Sequence, residues 1–325
     1  MNRIRTTLVA LVTAAASFFA TAAIAQEWPN RPVRIVNPFP GVGASDTLGR
    51  ILADHFTTVF KQSFYVETRA GAGGTIAAKS VVDSPPDGYN LIVTTISLLT
   101  LHPTVNPKLG YNPQRDLTNI AYVAGTPIVF CVNPSIGVKT LDDFLAYAKK
   151  SAKPLTYSSS GVGTMGHLVA EFFGPKVGLK FEHVPYKGAA QGLTDLAGGH
   201  IAFSAQTVSS SAGLIQSGAL KAVVTTSPAR LPDYPDLPTF KESGHPDMSS
   251  TTWFSLSGPA GMPADLVQKI HREAARAMAQ PQVQQMLRVQ GFVTETMSHD
   301  EFKAFVARET ARWKPVIEAA GLVTP

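Results

Sequence analysis

Val33-Arg34-Ile35-Val36-Asn37-Pro38-Phe39-Pro40-Gly41-Val42-Gly43-Ala44-Ser45-Asp46 reads as a short apolar strand, a turn rich in proline and glycine, and the start of a helix. Leu48, Ile51, Leu52 and Phe56 continue that helix at helical spacing, and Ser45 or Asp46 is the expected N-cap. A strand that turns into a helix in this way is the repeating unit of an α/β sheet. The unit recurs downstream. Residues 63–67 form a second expected strand, which leads through Arg69-Ala70-Gly71-Ala72-Gly73-Gly74 into another helix, and residues 91–95 form a third. Together they predict one doubly wound lobe with a largely parallel sheet.

Residues 103–116, rich in Pro and Asn, break the rhythm. Residues 120–132 then read as extended, with an interruption at Gly125-Thr126-Pro127 that marks a crossing to a second lobe. There follow a helix capped by Thr140 with Asp143 three positions on, strands at 155–158, 181–184 and 201–204, and helices from about Thr164, through 193–196 and after Ser209. A buried-type strand at 220–226 precedes the proline-rich stretch 227–238, which reads as the return crossing. Residues 252–257 form a further strand, and one helix follows Pro263. A last helix opens with the Ser298-x-x-Glu301 capping box and carries Phe302, Phe305, Val306 and Trp313 on one face. The expected organisation is a leader at 1–25, a first lobe from 26–125 and 226–325, and a second lobe from 126–225. Two crossings make a hinged cleft, where small ligands usually bind.

The leader is legible from its chemistry. Residues 1–5 carry two arginines and no acid, residues 8–20 are apolar apart from Thr13 and Ser17, and Ala23-Ile24-Ala25 has the small-x-small cleavage pattern. The apolar run falls short of the ~20 residues of a spanning helix, and Gln26 is not a lipid-accepting cysteine. The expectation is a secretory signal peptide cut after Ala25 and a soluble, periplasmic, monomeric product. Loss of the leader lowers the formal charge from +5 to +3, and the remaining basic residues are scattered rather than clustered, which argues against a nucleic-acid partner. Cys131 is the single cysteine, so no intrachain disulfide can form; within the apolar run 128–132 it reads as a buried, inert thiol.

Gly161-Val162-Gly163-Thr164-Met165-Gly166 is a literal G-x-G-x-x-G between a strand and a helix, with Glu182 placed 21 residues after Gly161. The pattern admits a dinucleotide turn, and with it a nucleotide-dependent enzyme. An exported chain is remote from the soluble nicotinamide pool, however, and the motif lies mid-chain. The same turn, with its exposed backbone N–H groups and helix dipole, can instead bind a carboxylate, and residues 40–46 offer a second such turn from the other lobe. The facing pair suits a dicarboxylate, or one carboxylate with a polar or aromatic tail. There is no G-x-S-x-G elbow, no H-E-x-x-H and no cysteine pair for zinc; His167, His183, His200 and His245 are scattered along the chain. No catalytic set, metal ligand set or cofactor is expected.

Arg31-Pro-x-Arg-Ile, Pro38-Phe-Pro followed by Gly43-x-x-Asp46, Arg69-x-Gly-Ala-Gly-Gly74, Pro86-Asp-Gly-Tyr89, Tyr111-x-Pro113, Ser159-x-Gly-x-Gly-Thr164-x-x-His-Leu168, His183-Val-Pro-Tyr-Lys-Gly188, Asp195-Leu-x-Gly-Gly199, Thr225-x-Ser227, Trp253-Phe254 and Pro259-Ala-Gly261 occur in this order. Over the whole chain after the leader, this series resembles the tripartite tricarboxylate transporter receptors, the Bug or TctC family. The resemblance implies a type II periplasmic binding protein of Venus-flytrap form that delivers a carboxylate to the large and small membrane subunits of a transporter, or in some cases serves a sensor kinase. It further implies ligand contacts from Phe39, Pro40, Gly41, Val42, Gly43, Ser45 and Asp46 in one lobe, Ser97 after the third strand, Ser158, Ser159 and Thr164 in the other lobe, and Lys187, Gly188 and Ala189. Two departures from the family pattern bear on the ligand. Most members read Pro-Gly-Gly where Gly41-Val42-Gly43 stands, so Val42 is placed to narrow the cleft; and members commonly carry acids where Ala202 and Gln206 stand, Gln206 being a further expected ligand contact. Loss of a carboxylate there favours plain, di- or aromatic carboxylates over ligands with an amino group.

Overall fold

A computed structural model describes residues 27–41, 43–319 and 321–323; the expected leader at 1–25 and the expected contact residue Val42 lie outside the described residues. From the N-terminal side, β1 (Val33–Asn37), α1 (Ala44–Phe60), β2 (Phe64–Thr68), α2 (Thr75–Val82) and β3 (Asn90–Thr95) follow the expected alternation. The break in rhythm after β3 is partly helical: a π-helical turn, Ser97–Leu101, runs into the short helix His102–Val105, and one further turn, Pro113–Asp116, precedes β4 (Leu117–Thr126). The second lobe comprises β5 (Ile128–Val132), α3 (Leu141–Lys150), β6 (Leu155–Ser159), α4 (Met165–Lys176), β7 (Phe181–Pro185), α5 (Ala189–Ala197), β8 (Phe203–Thr207), α6 (Val208–Gln216) and β9 (Lys221–Thr225). The chain returns with β10 (Thr252–Pro259), α7 (Ala264–Met278), α8 (Pro281–Val289) and α9 (His299–Ala319).

The sheets have matching designs, β2-β1-β3-β10-β4 and β7-β6-β8-β5-β9. Each is mixed rather than largely parallel. In the first, β10 runs antiparallel to both β3 and β4; in the second, β5 runs antiparallel to both β8 and β9. The odd strand in each sheet is the one that has just crossed from the other lobe. It enters from the hinge side, opposite to the direction of the home strands, and periodicity carries no trace of that direction.

Local chemistry accounts for the element ends, with three shifts. Thr140 accepts from the Asp143 N–H while Asp143 accepts from the Thr140 N–H, the expected capping box, and Ser298 and Glu301 form another. Helix α1 begins earlier than expected: its N-cap is Gly43, not Ser45 or Asp46, because both of those side chains are held in other bonds. Strand β8 lies two residues later than read from the sequence, with Ile201 packed just ahead of it. Residues 227–238 are not the crossing. Leu231, Tyr234 and Leu237 bury against Val129 and Cys131, and Thr239 bridges Thr225, so the chain stays on the second sheet until Ser250 donates its N–H to the Thr226 carbonyl beside β10. The Cys131 thiol is enclosed there, and burial pushes its pKa up to about 12.

The core of the second lobe is organised around Phe130 on β5. Its ring meets Phe203 at 5.2 Å, Phe240 at 5.3 Å, Phe173 at 5.9 Å and Phe144 at 6.2 Å, mostly edge to face. Phe130→Ala empties the centre of this cluster and is expected to destabilise the protein by about 3–5 kcal/mol, whereas Val59→Ala on the exposed face of α1 should stay within about 0.5 kcal/mol. Urea unfolding followed by circular dichroism checks both; equal losses would contradict the central placement of Phe130.

Candidate functional site

The home strands of both sheets point their C-terminal ends at the cleft between the lobes, where crevices of α/β sheets take ligands. The turns that follow β1, β3, β6, β7 and β8 meet there around a cavity of about 50 Å³. Phe39, Pro40, Gly43, Ala44 and Ser45 come from the first of these turns, Thr95 and Ser97 from the end of β3, and Thr252 and Phe254 from the start of β10. The second lobe contributes Ile128; Ser160, Thr164, Met165 and Gly166; Ala189 and Ala190; and Ala205, Gln206, Thr207 and Ser210. No Asp, Glu, Lys, Arg or His is among these residues.

Three helices aim their N-termini at this neutral cavity: α1 after Gly43, α4 after Thr164 and α5 after Gly188. None has a side-chain cap. The Thr164 hydroxyl, which could have capped α4, donates instead to the Gly161 carbonyl at 2.7 Å. Uncapped first turns leave N–H groups without partners and carry the positive end of the helix dipole. Only α6 at this site is capped, by the Thr207 hydroxyl accepting from the Ser210 N–H.

The cleft is shut. A Cβ on Gly188 would stand 2.8 Å from Pro40 Cδ, one on Gly41 would stand 3.2 Å from Ala190 Cβ, and one on Gly163 would stand 2.6 Å from His102 Cδ2. Glycines therefore line the seam where the lobes meet. The G-x-G-x-x-G turn is taken up in the same way: Gly161 faces Gly73, Gly163 faces His102, and Gly166 lies against the Ala205 carbonyl. Its glycines answer to approaches within the protein rather than to a pyrophosphate.

Of the residues expected to touch ligand, Phe39, Pro40, Gly43, Ser45, Ser97, Thr164, Ala189 and Gln206 line the cavity. The others do not. Gly41 and Gly188 lie on the seam, and Lys187 is exposed on a separate hollow. The Asp46 carboxylate is turned away and held by Arg50 Nε at 2.7 Å. Ser158 packs its Cβ towards Gly192 of α5, and the Ser159 hydroxyl is bonded to His183 Nε2 at 2.7 Å and to the Gly161 backbone. The sequence reading missed Asn37, which shapes the first turn: its Oδ1 accepts from the Ser45 hydroxyl at 2.6 Å, and its Nδ2 donates to the Phe39 carbonyl at 2.7 Å. It also passed over Ser160, Thr252 and His102. An asparagine directly ahead of Pro-x-Pro was the one available signal for the first of these.

His102 is buried on the first-lobe side of the seam between Gly73 and Gly163. Burial is the main reason its pKa drops to about 4; the nearby His167 lowers it further, and the Val162 carbonyl opposes the shift. Below the turn, His167 Nδ1 accepts from the Gly163 N–H at 3.2 Å and its ring lies 4.2 Å from that of His183, which burial holds near 3. Two of the histidines scattered in the sequence thus brace the turn at 159–164 from beneath, both neutral at ordinary pH. Among the described residues, no cluster of His, Cys, Asp or Glu could hold a metal ion, and no helix is long and apolar enough to cross a membrane.

A family model described as the tripartite tricarboxylate transporter family receptor matches residues 48–322. Protein BugT of Bordetella pertussis is 29% identical over 310 residues, spanning 94% of this chain and 95% of its own. Among solved structures, R. palustris Rpa4515 with adipate superposes with a TM-score of 0.87 at 32% identity, over 91% of this chain and 99% of that one. MatC from Rhodopseudomonas palustris with bound malate gives 0.84 at 27% identity, over 89% and 100%. With a family model that spans most of the chain and two α/β lobes closed over a cavity, this protein belongs to the tripartite tricarboxylate transporter receptor family and is a solute-binding receptor.

Proposed function

We propose that the chain captures a small carboxylate between its lobes in the periplasm, after export by residues 1–25, and delivers it to the membrane subunits of a tripartite tricarboxylate-type transporter. The observation that carries this reading is the convergence of three uncapped helix N-termini on a cavity without charged side chains. Backbone donors and helix dipoles favour an anion there, and a planar carboxylate offers enough lone pairs to satisfy donors from both lobes. The adipate and malate held by the two structural relatives are consistent with that chemistry. At about 50 Å³ the cavity has room for roughly three to five water-sized units at the ~10–15 Å³ each needs, which favours a short aliphatic acid over an aromatic one.

A thermal-shift screen of mono-, di- and tricarboxylic and aromatic acids tests the proposal. An acid at a hundred times its Kd stabilises the folded form by about 2.7 kcal/mol, read as a rise in Tm without consumption of the acid. A screen in which no carboxylate raises Tm would remove this reading, and turnover of an acid by the purified protein would replace it with an enzymatic one.

Closure also carries a pH dependence. When the lobes part, Val162 and Gly163 withdraw from His102, whose pKa returns from about 4 towards its ordinary value of about 6.5. Between those values the open form holds a proton that the closed form does not, so closing releases it. Affinity is therefore complete above about pH 6.5 and falls as pH drops towards 4, by roughly tenfold or more between pH 7.5 and pH 5. Calorimetry of wild type against His102→Gln, in which titration of the ligand cancels, should show the flatter profile for the variant; identical profiles would exclude His102 from closure.

A further inference from the structure

Glu309 on α9 has a side chain only 13% exposed, and its Oε2 accepts from two indoles, Trp253 Nε1 at 3.2 Å and Trp313 Nε1 at 3.2 Å. An indole can only donate, so a buried one needs such an acceptor. Trp253 stands on β10 between Thr252 and Phe254, which line the ligand cavity. Side chains alternate along a strand, so the cavity wall on one face of β10 is held by an indole gripped on the other. Close by on α9, Arg312 Nη2 donates to the Ser249 carbonyl at 2.6 Å, while its Nη1 lies 3.6 Å from Glu309 Oε1. Residues 250–252, the return crossing, are thus slung between two attachments on one helix.

The attachments reach different lobes. Helix α9 is fixed to the first: the Thr310 and Thr100 hydroxyls meet at 3.3 Å, and the rings of Phe302 and Phe305 pack on Tyr122 of β4. Ser249 is fixed to the second. Its neighbour Ser250 donates its N–H to the Thr226 carbonyl at 2.9 Å and accepts from the Thr226 hydroxyl at 2.7 Å, and Asp247 pairs with Lys176 of α4 at 2.5 Å. The Arg312 bond therefore spans the hinge, and it is made with the cleft shut. Beside it a hollow of about 470 Å³ separates Tyr122, Trp253 and Phe305 of the first lobe from Pro228, Ala229 and Leu231 of the second, and shares no residue with the ligand cavity. It lies on the opposite face of the crossing strand, so its walls draw together as the cleft opens.

We infer that Glu309 and Arg312 are positioning residues for ligand capture, which hold the return crossing in the geometry of the closed cleft and so set the hinge angle from behind. Neither lines the cavity. Loss of the Arg312 bond destabilises the closed form and not the open one. Loss of the Glu309 carboxylate frees the Trp253 indole and with it the wall at Thr252. Either change lowers the closed fraction, and the apparent affinity for any ligand of the closed cleft falls in proportion.

Pulsed electron paramagnetic resonance on the ligand-free mature protein tests this, with nitroxides on Val59→Cys in the first lobe and Tyr147→Cys in the second. Both positions are exposed, and the enclosed Cys131 takes no label. Closed and open distances are both expected, with the closed-to-open ratio lowered at least threefold by Arg312→Ala and by Glu309→Ala, and lowered less by Glu309→Gln, which keeps one acceptor oxygen. Ala229→Trp, which fills the hollow, should raise the ratio at least threefold. A purely structural role would lower Tm at an unchanged ratio, and that result overturns the inference. So does wild type without a closed distance, or a ratio that Ala229→Trp fails to raise. Arg312 is half exposed on its helix, so Arg312→Ala decides the matter if Glu309→Ala fails to fold. The readout is independent of which acid the cleft takes: a failed carboxylate screen leaves this inference standing, and an unchanged ratio brings down this inference alone.

Discussion

Helix ends of like partial charge are brought face to face across this cleft with no acidic side chain between them. Helices α1, α4 and α5 each present an uncapped N-terminus to the same cavity, and the one nearby carboxylate, Asp46, is turned away towards Arg50. Each end is worth only about 0.3–1 kcal/mol to a nearby anion at an exposed site and up to ~2 kcal/mol when partly buried. Three of them acting on one enclosed cavity, together with the N–H groups that carry the charge, bias it strongly towards a negative ligand. The strand directions make this arrangement unavoidable. Every home strand ends at the cleft, so every following helix starts there.

For the lobes to come this close, backbone has to meet backbone, and the glycines at the seam follow from that requirement. Gly73, Gly161 and Gly163 all have positive φ, and a Cβ on Gly73 or Gly163 would strike the imidazole of His102. The histidine fills the gap left between them. Its burial makes the seam sensitive to acid, because a charged imidazole there has no carboxylate to answer it. The pair His167 and His183 extends the same chemistry under the binding turn, which ties the shape of the turn to three rings that must all stay neutral.

Much of the fold was legible because it depends on local chemistry. The passage from Val33 to Asp46 showed strand, turn and helix by residue type, and Thr140 with Asp143 marked a helix start by a bond that spans three residues. Strand direction was not legible, since β5 and β10 are buried on both faces and read alike whichever way they run. The site was legible in part for the same reason. Turns that end strands could be named, but which of three adjacent serines reaches the cavity depends on pleat and turn geometry: Ser158 and Ser159 face inward to α5 and His183, and Ser160 is the one at the wall. His102 and Thr252 matter through neighbours far off in the sequence, which no local pattern reports.

The absence of charge in the cavity also bears on release. A ligand held by a buried ion pair keeps that partner wherever the lobes go, and parting from it leaves an uncompensated charge. Here the donors are divided between the lobes: α1 on one side, α4 and α5 on the other. Opening the hinge removes one set of donors in a single motion and admits water to the other set. Water can take the place of the carboxylate on a neutral N–H, so the affinity of the closed form is lost when the lobes separate without any protein group being left charged and unpaired. Neutral, divided recognition therefore links hold and release to one mechanical variable, the angle at the hinge.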